Sequence, residues 1–150
     1  MILFGLGLAV GNWLGGRFAD RSLFGTLFVT LAAQAAVLLV FWLEVDNAII
    51  AAASVFLMAA FGFATVSPIQ KLVMDRASSA GAPTMAASVN IGMFNLGNAI
   101  GAWVGGATIA AGLGLASPNW AGAVLSLIAL ALAVIAWATN ARGYRAAVAD

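Results

Sequence analysis

The chain has 150 residues, of which 64% are hydrophobic and 7% charged, and its formal net charge is +1. A soluble domain carries roughly a quarter charged residues, and here too few polar side chains remain to coat a water-facing surface. The composition therefore predicts an all-α, multi-pass membrane protein with the lipid bilayer as its main solvent, and its few scattered Lys and Arg give no footprint for nucleic acid.

Residues 1 to 16, MILFGLGLAVGNWLGG, lack a basic leader and a cleavage site before soluble sequence, so they read as a membrane helix rather than a signal peptide. At 1.5 Å per residue that stretch reaches about 24 Å, less than the roughly 30 Å hydrocarbon core. The first span is therefore expected to be truncated, by an artificial start to the chain. Charges at Arg17, Asp20 and Arg21 close it. Two uncharged runs follow, 23 to 43 and 47 to 70, separated by Glu44 and Asp46 and each long enough to cross as a helix. Pro68 is expected to kink or stop the second of these, with Gly62 adding pliability.

After Lys71, Asp75 and Arg76 no charge appears until Arg142. That run must hold two helices, and GLGLASPN, residues 112 to 119, supplies the break, with Ser117 as a cap and Pro118 as a first helical residue. Spans near 84 to 111 and 119 to 139 result, five in all. All six Lys and Arg fall after the first, third and fifth spans. By the positive-inside rule those loops and the C-terminus are cytoplasmic and the N-terminus lies outside. Trp13, Trp42, Trp120 and Trp137 sit near span ends, as headgroup anchors do, whereas Trp103 lies deeper. A β-barrel would need shorter, alternating segments.

The second and fifth spans are mostly Leu, Ala, Val and Phe and suit a lipid-facing periphery. Gln34, central in the second, requires a partner: a neighbouring helix or a substrate. The fourth span stands apart, with Asn90, Asn95 and Asn98 among five glycines. On a helical wheel Asn90, Asn98 and Asn95 fall at roughly 0°, 80° and 140°, with Ser88 beside Asn95. One half of the helix thus carries all three amides. Gly97, Gly101 and Gly105 repeat every four residues, a stripe along which another backbone can approach. The amides are candidates either for bonds across a helix interface or for a solute cavity.

Two stretches carry a family resemblance. Gly16, Arg17, Phe18, Ala19, Asp20 and Arg21, between two spans, resemble the loop signature of the major facilitator superfamily. That signature joins the second and third helices of the family and recurs in degraded form between the eighth and ninth. Ser22, Leu23 and Phe24 stand where the full pattern has a further glycine and basic residues, which favours the degraded copy. NLGNAIGAWVGG, residues 95 to 106, resembles the eleventh helix of the arabinose-efflux-like, drug:proton antiporter branch, and is also similar to the antiporter motif of the fifth helix.

The resemblance implies that the chain is a C-terminal fragment, helices eight to twelve, of a twelve-helix transporter. Its remaining helices would be N-terminal to this stretch, with a small-molecule substrate bound near the midplane and alternating access by rocking of two halves. It also implies that the tenth and eleventh helices line the cavity while the ninth and twelfth lie outside. The loop residues Gly16, Arg17, Asp20 and Arg21 are implied to be a conformational charge network. Arg17 and Arg21 are the expected partners of Asp20, which also sits favourably at the positive end of the next helix.

No Asp or Glu lies mid-span, so if the transporter is proton-driven its coupling carboxylate is expected in the remaining helices, and the sequence assigns no energy source. The fragment alone is not expected to transport. An integral membrane enzyme would show His, Cys or acid clusters, and the chain has no His or Cys and no phosphate-binding loop. No metal or cofactor is expected. The other class left open is a non-transporting membrane scaffold, in which the Asn and Gly face only holds a partner helix.

Overall fold

A computed structural model describes residues 1–79, 81 and 83–149, with the side chains of 79, 83 and 140–149 outside the description. Arg142 and Arg145, expected to mark the cytoplasmic tail, fall in that last group. The described residues form helices α1 (Ile2–Ala19), α2 (Leu23–Leu43), α3 (Ala48–Ala64), α4 (Val66–Ser79), α5 (Pro83–Ala110) and α6 (Ser117–Ala149), with no strand among them. The chain is an all-α, multi-pass membrane protein.

Four described stretches are long and apolar enough to cross a membrane: Ile2–Ala19, Leu23–Leu43, Ala48–Ser78 and Ser117–Thr139. They overlap the first, second, third and fifth spans of the sequence reading, the third running on to Ser78 rather than stopping at 70. The remaining helix, α5, has 28 residues, ample for a crossing. Its asparagines and glycines keep it below the apolarity of the others.

Sequence dictates where the helices break. Asn47 caps α3 by accepting from the backbone N–H of Ile49 at 3.1 Å and of Ile50 at 3.2 Å. Helix α3 ends at Ala64, four residues before Pro68. Proline has no N–H to donate to that carbonyl and its ring crowds it, so the apolar stretch breaks there and restarts as α4. Thr65 bridges the break, donating its hydroxyl to the carbonyl of Gly62 at 2.6 Å. Between α5 and α6, Gly112 and Gly114 take φ of 77° and 88°, a region that favours glycine. The Ser117 hydroxyl, fully buried, lies 2.6 Å from the carbonyl oxygen of Gly114 and 3.0 Å from the Thr108 hydroxyl, within reach of either acceptor.

Packing is built on small residues. Gly7, Gly11, Gly15 and Ala19 form the buried stripe of α1. It lies against Phe56, Ala59, Ala60 and Ala64 of α3 so closely that a Cβ at any of the three glycines would run into α3 backbone. Lipid supplies no hydrophobic drive between helices, so this close approach gathers dispersion contact instead. Helix α2 packs on α6 and on α3. At the α2–α6 seam Leu38 sits over Gly122, and the rings of Phe28 and Trp137 meet edge to face at 6.3 Å.

Candidate functional site

The amide face of α5 is open. Every residue from 91 to 100 is exposed, Asn95 and Asn98 included, and Asn90 is half-buried. None of the three amides has a hydrogen bond among the described residues, whereas Ser88 turns its hydroxyl back to the carbonyl of Thr84 at 3.2 Å. Among the described residues helix α5 touches only α4 and α6. Three unmet amides along one flank of a long helix can donate to and accept from a polar solute, or from side chains of another helix.

Gln34 belongs elsewhere. Helices α2 and α5 do not meet among the described residues, so Gln34 and the asparagines form no common site. Gln34 lies instead against Gly62 of α3, with its Oε1 buried and unpartnered. The stripe of Gly97, Gly101 and Gly105 is likewise unpaired within these residues. A Cβ at Gly97 or Gly101 would meet open space, and one at Gly105 only the side chain of Pro118 at 3.4 Å. The glycine stripe that packs here is the one on α1.

One polar contact was not anticipated from the sequence. Ser67 of α4 donates its hydroxyl to Oδ1 of Asn12 on α1 at 3.2 Å. The signal available was a lone amide within the first span, of the same kind as Gln34.

A groove of about 550 Å³ lies between α1, α2 and α3, with Leu14, Phe18, Val29 and Phe61 among its walls and Arg21 at one end. Its hydroxyls are already used: Thr26 donates to the carbonyl of Ser22 and Thr30 to that of Thr26, each at 2.8 Å. Its threonine donors are therefore already engaged, and only their oxygens remain to accept from a polar solute.

The charged turn after α1 differs from expectation in two ways. Gly16 and Arg17 are helical, because α1 runs on to Ala19, and only Asp20, Arg21 and Ser22 remain between α1 and α2. Ser22 caps α2, its hydroxyl oxygen accepting from the N–H of Gly25 at 3.2 Å. Asp20 pairs with neither arginine. Its Oδ1 accepts from Nζ of Lys71 on α4 at 2.6 Å, while the Arg17 guanidinium lies over the Trp13 ring, 5.9 Å from its centroid. The spacing of Arg17 from Trp13, one helical turn, draws Arg17 back along α1 and leaves Asp20 to the neighbouring helix.

The chain is 45% identical over 132 residues to the inner membrane transport protein YdhP of Escherichia coli (strain K12). It is 32% identical over 139 residues to the uncharacterized MFS-type transporter YfhI of Bacillus subtilis (strain 168). It is 34% identical over 137 residues to a chloramphenicol resistance protein of Streptomyces lividans. The chain belongs to the major facilitator superfamily. These matches cover 88%, 91% and 89% of the chain but about a third of each relative's length. No family model and no solved structure matches it.

The charged contact lies where the turn after α1 meets α4. Asp20 and Lys71 join the α1–α2 turn to α4, and the exposed Asn12–Ser67 bond joins α1 itself to α4. The blander helices α2 and α6 pack on each other, and the amide-bearing α5 stands at the margin.

Proposed function

We propose that this chain is the region of helices eight to twelve of a secondary transporter that exports a small polar or amphipathic solute by alternating access. Helix α5, as the eleventh, lines the solute pathway through Asn90, Asn95 and Asn98. The observation that carries this reading is the unmet amide face of α5. Three amides in hydrocarbon would each cost a few kcal/mol, roughly, so they belong against water, solute or partner side chains.

The direction of transport is supported by the relative named for chloramphenicol resistance. Placement in a bacterial inner membrane is supported by the relative named as an inner membrane transport protein. A cytoplasmic C-terminus and a fifth crossing by α5 follow from the distribution of Lys and Arg in the sequence. The coupling carboxylate, for protons or another ion, then lies outside this stretch, since no Asp or Glu falls within its uncharged runs. In this reading Asp20 and Lys71 form a cytoplasmic latch that holds one access state.

The test is drug susceptibility of an efflux-deficient bacterial host expressing the full-length transporter, with chloramphenicol as probe. The wild type should raise the tolerated concentration, and Asn95→Leu with Asn98→Leu should lower it at unchanged membrane abundance. Loss of abundance together with loss of resistance would instead favour the scaffold role of this face. No resistance from the wild type would remove chloramphenicol from the substrate range.

A further inference from the structure

The groove between α1, α2 and α3 has the length of a single leaflet. Its walls run from Val10 to Phe18 on α1, from Ser22 to Thr30 on α2 and from Phe56 to Ala64 on α3. At 1.5 Å per residue each stretch measures about 12 Å, close to half of a hydrocarbon core roughly 30 Å thick. The walls share one level, because Gly15 packs on Ala64 just before α1 reaches its charged turn. The groove therefore begins at the charged end of the helices and stops near the bilayer midplane.

Its lining suits a hydrocarbon chain. Leu14, Phe18, Val29 and Phe61 supply apolar surface, and the hydroxyls of Thr26 and Thr30 are turned back onto α2. Phe18 and Val29 are 45% and 66% exposed, so the groove opens sideways to the surface that meets lipid.

Arg21 is the one charged residue among these walls. It is exposed, and among the described residues its guanidinium meets no carboxylate, since Asp20 is held by Lys71. It stands just before the first turn of α2, whose free N–H groups and dipole add to the positive potential. The neighbouring Ser22 uses its oxygen to accept from Gly25, which leaves its O–H free to donate. An unpaired cation above an apolar slot of leaflet length is complementary to an anionic head that carries an acyl chain.

We propose that this groove binds an anionic phospholipid, with one acyl chain against Leu14, Phe18, Val29 and Phe61 and the phosphodiester at Arg21 and Ser22. Basic sites between membrane helices suit such head groups, and burying the chain fills a gap that would otherwise forfeit dispersion contact. The lipid head then lies beside the Asp20–Lys71 contact, where α1, α2 and α4 come together. The site is independent of what the full-length transporter carries.

The test uses the full-length protein, freed of any cysteine outside this stretch, which itself has none. A bimane is placed on Val29→Cys at the mouth of the groove, or on Leu132→Cys of α6 as the reference for unselective lipid contact. The protein is reconstituted in dioleoylphosphatidylcholine bilayers holding equal mole fractions of either phosphatidylglycerol or phosphatidylcholine with dibrominated chains, which quench the dye on contact. At Val29→Cys the phosphatidylglycerol should quench about fivefold more effectively, the preference that one basic side chain near a membrane surface confers. At Leu132→Cys the two should quench alike. Arg21→Gln should abolish the preference at Val29→Cys and Arg21→Lys should keep most of it. Equal quenching by the two lipids at Val29→Cys, or a preference that survives Arg21→Gln, would overturn the proposal. Quenching by neither lipid at Val29→Cys while Leu132→Cys is quenched would also overturn it, and would show the groove filled by a helix outside this stretch. Glycerol 3-phosphate relieving the quenching as well as unbrominated phosphatidylglycerol does would reduce the site to one for free phosphate, and the proposal would fail. None of these readings depends on flux, so a failure here is distinguishable from a failure of the transport reading.

Discussion

Lys71 Nζ of α4 stands 2.6 Å from Asp20 Oδ1 in the turn after α1, tying two helices at their charged ends. The side chains are 40% and 73% exposed, so the pair is screened and adds little to the stability of the fold. Its value to a transporter lies in being breakable. Lys71→Met or Asp20→Asn in the full-length protein should leave membrane abundance and melting temperature unchanged. Transport rate should shift by roughly five- to tenfold through a changed balance of access states. The charge exchange, Asp20→Lys with Lys71→Asp, should restore much of the loss, and flux in proteoliposomes is the measurement.

The α1–α3 contact makes a prediction of the opposite kind. A methyl group on Gly11 would enter the space of Ala60 backbone, which cannot swing aside as a side chain can. Gly11→Ala should therefore destabilise by about 1–3 kcal/mol, the usual range for overpacking, and Gly11→Leu by more. Thermal melting in detergent reads this, with lowered membrane abundance in the cell as its correlate.

Gln34 should behave differently from an interhelical hydrogen bond. Its Oε1 is buried without a partner, and an unmet buried acceptor costs about 1–3 kcal/mol. Gln34→Leu is expected to hold or raise the melting temperature of the full-length protein. A fall of several degrees would reveal a partner for Gln34 outside this stretch.

The sequence made the helices legible because charge and proline are decisive in lipid. Leu23–Leu43 was bounded by Asp20–Arg21 and Glu44. The α3–α4 break follows directly from the donor that Pro68 lacks. Contacts between distant segments were less legible. Asp20 has two arginines within three residues and still pairs with Lys71, 51 positions away, because Arg17 is drawn to Trp13. The same four-residue glycine spacing occurs on α5 and on α1, and only on α1 does a neighbouring backbone close on it, which spacing alone does not reveal. The part played by Asn12 depends on Ser67, 55 positions away, which only the fold brings near.

The central claim is that the amide flank of α5 borders an aqueous pathway in the full-length transporter. The most direct measurement is the reactivity of Asn95→Cys and Asn98→Cys toward a water-soluble maleimide in intact membranes, with Leu132→Cys on the exposed surface of α6 as the lipid-facing reference. The account requires both α5 positions to label, and at rates that change when solute is added, while the α6 position stays unreactive. Labelling no faster at Asn95 and Asn98 than at Leu132 would place that flank in lipid or in a sealed helix interface, and would contradict it.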